Sequence, residues 1–596
     1  MKKKYLIHQE SLQISYGIKC NKLNYILKGG DKMSDVMKVI SFEKLLEITL
    51  KDYYTKGKIF EIEEKNFYRD IDNSIEMNFC NEYLRFPIGP AAGPHTQLAQ
   101  NFIAAYLTGC RYFEPKTVQI VDGKDMQEII ARPCIDVKNV GYNVEWSTEL
   151  TVKEAKEEYI KASILLQVIA IELGLSDLKD FIFNISVGYD LNGIKSKKIS
   201  DFIDDLKDCK DTNIYKEAIG VLKKNIKSFK KFKLEDIDKI STNITNIITL
   251  STMHGCKPSE ILDIATYLIE NKKINTLLKC NSTLLGYSNV RKILNDLGYE
   301  DIELSPKDFE NDLKFDIAKE IISKLLKVAK DNNLIFGVKL TNTLPVINNR
   351  NIMPGDSMYM SGKPLYPIAI NVANIIASEF KDIIISMSGG IDKNNVLEVF
   401  DTGIAPITIA TLYLKPKGYL NNNDVLNEMK KLEETTKELN LAKLNILANK
   451  AKTDNNYRNK GNGKAIEDKL ETFDCLKACG ICVDVCPNRA NMKVKVPELS
   501  ADYQIVHIEK NCNECGNCHM FCPKGGYPYL KKTTLYKDLD EYNNSSNTGL
   551  LRIGESKLIL RDNGEEYIYE INSKENKNNL EITSERIIEE YSYYFE

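Results

Sequence analysis

The chain has 596 residues, too many for one hydrophobic core, and its length points to roughly two to four domains. Its 81 Lys and Arg against 84 Asp and Glu leave a formal charge of −3, so no basic field argues for nucleic acid or an anionic membrane. No apolar run approaches the roughly 20 residues a membrane span requires, and the opening Met1-Lys2-Lys3-Lys4 is followed by His8, Gln9, Glu10 and Ser11 rather than an apolar leader, so a cytoplasmic protein with reduced thiols is expected.

Residues 1–32 are polar and end in Gly29-Gly30-Asp31-Lys32. They read as a disordered N-terminal extension, with Met33 an alternative start. Residues 33–83 are expected to form a helical N-terminal segment. Within it 41–54 is amphipathic, Ser41 capping and Leu46, Leu50 and Tyr53 sharing a face. From 84 to 419 the chain alternates short apolar runs with helical patterns. The runs are 86–92, 110–118, 181–188, 245–251, 275–281, 335–342, 382–388 and 406–412. Eight strands with helix-sized gaps predict an α/β fold, a (β/α)8 TIM barrel. The widest gap, 189–244, is rich in Lys and Asp, and its basic stretch Lys223 to Lys233 reads as the solvated face of inserted helices.

Sites on such a barrel lie at the C-terminal strand ends. The first run ends in Pro90-Ala91-Ala92-Gly93-Pro94, small residues that let a flat ring approach the backbone. The second ends in Lys116-Thr117, a cation placed to tune a bound cofactor or, in the plainer reading, to snorkel to solvent. Residues 420–469 read as a helical linker whose polar stretch, 451–464, contains Gly461-x-Gly463. That pair follows no strand and lacks a third glycine, so it is not a dinucleotide loop.

Eight of the fifteen cysteines fall in 48 residues, as Cys475-x₃-Cys479-x₂-Cys482-x₃-Cys486-Pro487 and Cys512-x₂-Cys515-x₂-Cys518-x₃-Cys522-Pro523. This is the spacing of a two-cluster ferredoxin, in which the fourth cysteine of each run crosses to the other cluster. One [4Fe–4S] cluster is therefore assigned to Cys475, Cys479, Cys482 and Cys522, the other to Cys512, Cys515, Cys518 and Cys486. A zinc ribbon needs only paired C-x₂-C knuckles, and disulfides are disfavoured without export. The extra residue between Cys475 and Cys479 leaves a three-iron cluster open there. The ferredoxin-like domain is placed at 470–532, and 533–596 is a short β appendage with a hairpin around Asp562-Asn563-Gly564.

Several strand-end motifs carry a resemblance. Lys116-Thr117, Lys279-x-Asn281, Thr341-Asn342-Thr343, the run Met360 to Ala369 (MSGKPLYPIA), Ser388-Gly389-Gly390-Ile391 and Ala410-Thr411 resemble the dihydroorotate dehydrogenase and dihydropyrimidine dehydrogenase barrels. The runs Gly89 to Gln97 (GPAAGPHTQ), Glu145 to Glu149 (EWSTE) and Cys486 to Asn491 (CPNRAN) look like the selenate reductase iron–sulfur subunit family, from Met33 to about residue 590. The resemblance implies FMN in the barrel. Its phosphate would sit against Gly389, Gly390, Ala410 and Thr411, with Ala92, Gly93 and Gly362 beside the cofactor and Lys116 and Lys279 flanking its ring. Asn143, Asn281 and Asn342 would bond the ring edge or a small-molecule substrate.

In such enzymes a proton-transfer residue sits in the loop after the fourth strand, here Ser251 to Pro258 (STMHGCKP). Cys256 is the first candidate, its pKa brought toward neutrality by cations such as Lys257, and His254 the second; Lys116 completes the catalytic set. Longer members of the family carry an FAD- and NAD(P)-binding module, but no G-x-G-x-x-G follows a strand here. The expected function is an iron–sulfur oxidoreductase subunit passing electrons between a barrel-bound FMN and a partner. That partner is an NAD(P)H-oxidising flavoprotein or a soluble ferredoxin, with a molybdoenzyme subunit for any selenate chemistry. The alternatives are a flavin-free electron-transfer scaffold and a dihydropyrimidine dehydrogenase-type subunit.

Overall fold

The computed structural model describes residues 37–69, 75–121, 123–144, 147–176, 179–251, 256–432, 438–461, 467–475, 479–573 and 576–595. The extension assigned to 1–32, and His254, Glu145 and Trp146, lie outside them.

Each of the eight apolar runs forms a strand: β1 Ile88–Pro90, β2 Tyr112–Phe113, β3 Ile182–Val187, β4 Ile247–Leu250, β5 Asn275–Cys280, β6 Phe336–Leu340, β7 Ile384–Met387 and β8 Ile407–Ile409. The barrel strands pair in parallel, as in Ile247 beside Asn184 and Asn275. The order runs β1-β8-β7-β6-β5-β4-β3-β2. The Arg111 N–H donates to the Ile88 carbonyl at 2.9 Å and the Glu114 N–H to the Pro90 carbonyl at 3.0 Å, which bridges the remaining gap and closes the barrel. Every residue of β3 and β6 is buried, as expected of parallel strands covered on both faces.

The helical shell follows from the 3.6-residue period. In Phe315–Asp331 the buried positions Ala318, Ile321, Ile322, Leu325 and Ala329 form one stripe, and sealing one such Ile or Leu contributes about 1.5–3 kcal/mol. Val152–Leu173 starts at a capping box, Thr151 Oγ1 accepting from the Glu154 N–H at 3.1 Å and Glu154 Oε2 accepting from the Thr151 N–H at 2.9 Å. It ends at Gly174, whose φ of 67° suits a residue without Cβ.

The ends of the barrel are covered differently. A hairpin, Met77–Phe79 with Glu82–Leu84, packs Phe79, Cys80 and Leu84 on Tyr112, Ile182, Ile247 and Leu277. At the C-terminal ends of the strands, Ile135–Asp136, Gly141–Asn143, Leu344–Ile347 and Ser357–Ser361 form an antiparallel sheet that the apolar runs did not foretell. The stretch 33–83 departs from the helical expectation: Phe42–Lys56 is helix, capped by Ser41, and short hairpins follow it. The polar linker is strapped to the barrel, since Tyr457 packs on Tyr366 and the Asn459 N–H donates to the Leu297 carbonyl.

The expected break at 532 falls inside one sheet. β9 Asn491–Lys495, β10 Tyr503–Ile508, β11 Thr533–Tyr536, β12 Gly549–Arg552, β13 Lys557–Asp562 and β14 Glu565–Glu570 pair in sequence, with β10 parallel to β11. The appendage is thus continuous with the cysteine domain. It ends in the helix Asn579–Tyr591, after which Tyr593 and Tyr594 donate to Asp52 of the N-terminal helix.

Candidate active site

All eight strands deliver residues to one cavity of about 180 Å³ at their C-terminal ends. Ala92 and Gly93 follow β1, Lys116 follows β2, Lys279 lies on β5, Asn342 follows β6, Gly389 follows β7, and Ala410 and Thr411 follow β8. Asn143 and Gly362 reach it from the antiparallel sheet and its edge. Lys116 is held through its backbone: its N–H donates to the Thr96 carbonyl and its carbonyl accepts from Tyr159 Oη, both at 2.9 Å.

The glycines are demanded by geometry. Gly389 and Gly390 have φ of 106° and 68°. A Cβ on Gly390 would lie 2.5 Å from the Gly362 carbonyl oxygen, and one on Gly389 3.2 Å from Ala369 Cβ. Side chains are excluded, and successive residues in such conformations form backbone concavities that suit an anion. Thr411 Oγ1 and Ser361 Oγ meet at 3.1 Å beside this turn. A glycine cradle next to two lysines fits a phosphorylated flavin. Gly390 is absent from the cavity wall itself and stands behind Gly362.

A buried polar network that sequence reasoning missed stands inside the barrel. Lys339 Nζ on β6 contacts Glu114 Oε1 at 2.7 Å, Thr408 Oγ1 at 2.5 Å and Ser386 Oγ at 3.2 Å. Glu114, which also lines the cavity, accepts from Thr408 Oγ1 at 3.0 Å and from Asn184 Nδ2 at 3.5 Å. Burial pulls the Lys339 ammonium below its usual pKa, against the attraction of Glu114. The available signal was a charged residue of opposite sign, Glu114 and Lys339, within each of two runs expected to be buried strands.

Two expectations are corrected. Asn281 does not line the main cavity. Its Nδ2 donates to both oxygens of Asp312 at 3.0 and 2.9 Å, and Thr283 Oγ1 donates to the same carboxylate at 2.6 Å. Cys256 faces a smaller adjoining cavity with Asn281 and Asp312, Lys279 being shared with the large one. Its thiol is pushed up to about 12 by burial, then by Glu260, Asp312 and Asp190. The cationic lowering expected from Lys257 is reversed, because the sulfur is buried and faces carboxylates.

The His95-Thr96-Gln97 part of the first motif is architectural. His95 is buried against the Tyr413 and Tyr419 rings and held neutral by desolvation, its pKa pushed down to about 3. Gln97 Oε1 accepts from Thr148 Oγ1 at 3.1 Å and from the Glu149 N–H at 2.9 Å.

In the C-terminal domain, Cys486, Cys512, Cys515 and Cys518 surround one small cavity. These are the four residues the cross-over rule groups together, and Cys512, Cys515 and Cys518 each feel the charge of Cys486. The surroundings of Cys475 include Cys479 and Cys522, and those of Cys482 include Cys518 of the first set ahead of Cys475 and Cys479. The described cysteines form no disulfide. Among the described residues no three His, Cys, Asp or Glu side chains close around a single ion, and the cavity inside the first set lies between its four sulfur-bearing residues. The donor chemistry, all thiol and four to a set, fits a cubane cluster.

Fold and site together define an α/β barrel with a cavity at the C-terminal ends of its strands. Residues 60–460 match the family described as "Oxidoreductase YgfK, N-terminal TIM-barrel domain". Proteins of Escherichia coli strains K12 and O157:H7, each named "Putative oxidoreductase YgfK", are 40% identical over 545 residues, covering 86% of this chain and 52% of each relative. The chain belongs to the YgfK oxidoreductase family, and it spans about half the length of the curated relatives it matches. No helix among the described residues is long and apolar enough to cross a membrane.

Proposed function

We propose that the barrel cavity binds FMN and a small organic substrate, a cyclic amide or related heterocycle, and that two [4Fe–4S] clusters connect this site to a partner redox protein. The observation carrying the reading is the joint between the two sites: the Cys515 carbonyl accepts from the Cys134 N–H at 3.1 Å and the Ile135 N–H at 3.2 Å, and Ile135 lines the cavity. When bound, FMN supplies two-electron chemistry toward the substrate and one-electron chemistry toward the clusters.

The chain's own residues do the rest. Gly389, Ala410 and Thr411 present backbone to the phosphate. Lys116 and Lys279 would flank the ring and offset negative charge there, while Asn143 and Asn342 would orient the ring edge or substrate. Cys256, protonated at neutral pH as an ordinary thiol is, lines the adjoining cavity that shares Lys279 with the main one and is the candidate proton donor rather than a base. The partner is an NAD(P)H-oxidising flavoprotein or a soluble ferredoxin, and any selenate chemistry of the assembly falls to a molybdoenzyme subunit.

The test is cofactor content after anaerobic purification and reconstitution. One FMN and about eight irons per chain are expected from two cubane clusters. Iron without flavin leaves only a scaffold, and two zincs with negligible iron overturn the reading. Uracil- or thymine-dependent flavin reoxidation would narrow the substrate to pyrimidines.

A further inference from the structure

The two cysteine sets occupy unequal positions. In the set of Cys486, Cys512, Cys515 and Cys518, the loop that carries the last three is pinned against the barrel. Besides the two bonds to the Cys515 carbonyl, Asn517 Nδ2 donates to the Leu414 carbonyl at 2.8 Å, and Leu414 lines the barrel cavity. Asn513 Nδ2 donates to Glu149 Oε1 at 2.7 Å, and Arg132 fixes that carboxylate from the other side at 2.8 Å. Gly516 permits the approach: its φ is 85°, and a Cβ there would lie 2.5 Å from Pro133 Cβ. Cys486, Cys515 and Cys518 are buried, and Cys512 is half-buried. Two backbone N–H groups, of Ala490 and Glu514, point at the sulfurs of Cys486 and Cys512 at 3.2 and 3.3 Å.

The second set is turned the other way. Cys482 and Cys522 are buried, Cys475 is half-buried and Cys479 is exposed. The sets meet at Cys482 and Cys518, which pack together with Val483, Val485 and Ile505. The residues thus line up as barrel cavity, Ile135 and Leu414, the Cys515 set, the Cys482–Cys518 contact, and last the exposed Cys479.

We propose that the Cys486/Cys512/Cys515/Cys518 set is an inner centre shielded between barrel and domain, and that the set containing Cys479 is the outer centre, where a soluble one-electron carrier exchanges electrons with the protein. Each exchange moves one electron, the carrier losing what the protein gains or the reverse. The inference rests on the cluster assignment under the proposed function and adds the order and the outlet. Solvent exposure is among the factors that set cluster potentials, so the two centres should also differ in redox behaviour.

The experiment is electron paramagnetic resonance of the whole reconstituted, dithionite-reduced chain with and without an aqueous dysprosium chelate. The chelate should raise the half-saturation power several-fold for the signal that Cys479→Ser perturbs, and leave unchanged the signal that Cys515→Ser perturbs. Should the serine variants fail to fold, the unsubstituted protein still decides the matter. Brief oxidation with chelator followed by alkylation and peptide mapping should label Cys475 and Cys479 several-fold ahead of Cys512, Cys515 and Cys518. Cubane signals relaxed equally, or labelling in the reverse order, would overturn the ordering alone. Reconstituted protein with no cubane signal would remove the cluster assignment beneath it.

Discussion

Lys339→Met tests whether the barrel interior is organised around one buried ion pair. Lys339 and Glu114 lie 2.7 Å apart, with side chains 2% and 6% exposed. At an effective dielectric of about 20 their gross attraction is about 6 kcal/mol, against a desolvation cost of several kcal/mol per ion. The pair is therefore close to break-even as a unit, but removing one partner strands the other charge, with an expected loss of about 3–5 kcal/mol. Glu114→Gln alone should cost a similar amount by stranding Lys339, whose remaining contacts are the Thr408 and Ser386 hydroxyls. The double variant Lys339→Met/Glu114→Gln leaves no unpaired charge and should recover most of the loss, a coupling of about 2 kcal/mol or more. Urea unfolding of all four proteins, followed by circular dichroism, measures the cycle. Additive losses would refute the reasoning, since they would mean that the two charges act independently.

Asp52 is buried and accepts from Tyr593 and Tyr594, and desolvation pushes its carboxyl up to about 6 despite those bonds. Because the folded state holds this proton more tightly than the unfolded chain, the group favours folding fully below pH 4, and that contribution fades as pH rises from about 4 to about 6, by about 3 kcal/mol in all. The stability difference between Asp52→Asn and the parent should follow this window, and a flat difference from pH 4 to 7 would count against it. Cys486→Ser should disturb the cluster signal shared with Cys512, Cys515 and Cys518 while sparing the Cys475 set, as cross-ligation requires; damage confined to the Cys475 set would reverse the assignment. Lys116→Ala should lower flavin content or slow flavin reduction, and retention of both would return Lys116 to the role of a surface cation. Incubating the isolated chain with NADPH should leave the flavin oxidised; rapid bleaching would reveal a nucleotide site outside the motifs considered.

The repeating features of this molecule were readable along the chain. Eight apolar runs became eight strands because a parallel strand buried on both faces admits few polar residues, and that restriction is local to each run. Gly389 and Gly390 were pointed to by the family resemblance, and the structure supplies the physical reason for glycine there, a backbone conformation that side chains disfavour. The cysteine spacing proposes a grouping because ligand spacing reflects the reach of a single loop. Side-chain partners were another matter. Asn281 sits at the strand end its motif predicted, yet it is turned to Asp312 from a later segment. The direction of the Cys256 shift was set first by burial and then by Glu260, Asp312 and Asp190, surroundings that the basic neighbour Lys257 did not announce.

What the sequence by itself determined is therefore the barrel and the end at which its strands deliver residues to one cavity, while the two cluster sets stand as a proposal drawn from cysteine spacing. Only the tertiary structure decided that Lys339 faces Glu114 inside the barrel, that an antiparallel sheet adjoins the site, and that Cys515 is bound to Cys134 and Ile135 at the cavity wall. Those contacts join residues hundreds of positions apart. Charge, burial and hydrogen-bond supply at such points are sums over everything that folding brings near, and no local pattern contains them.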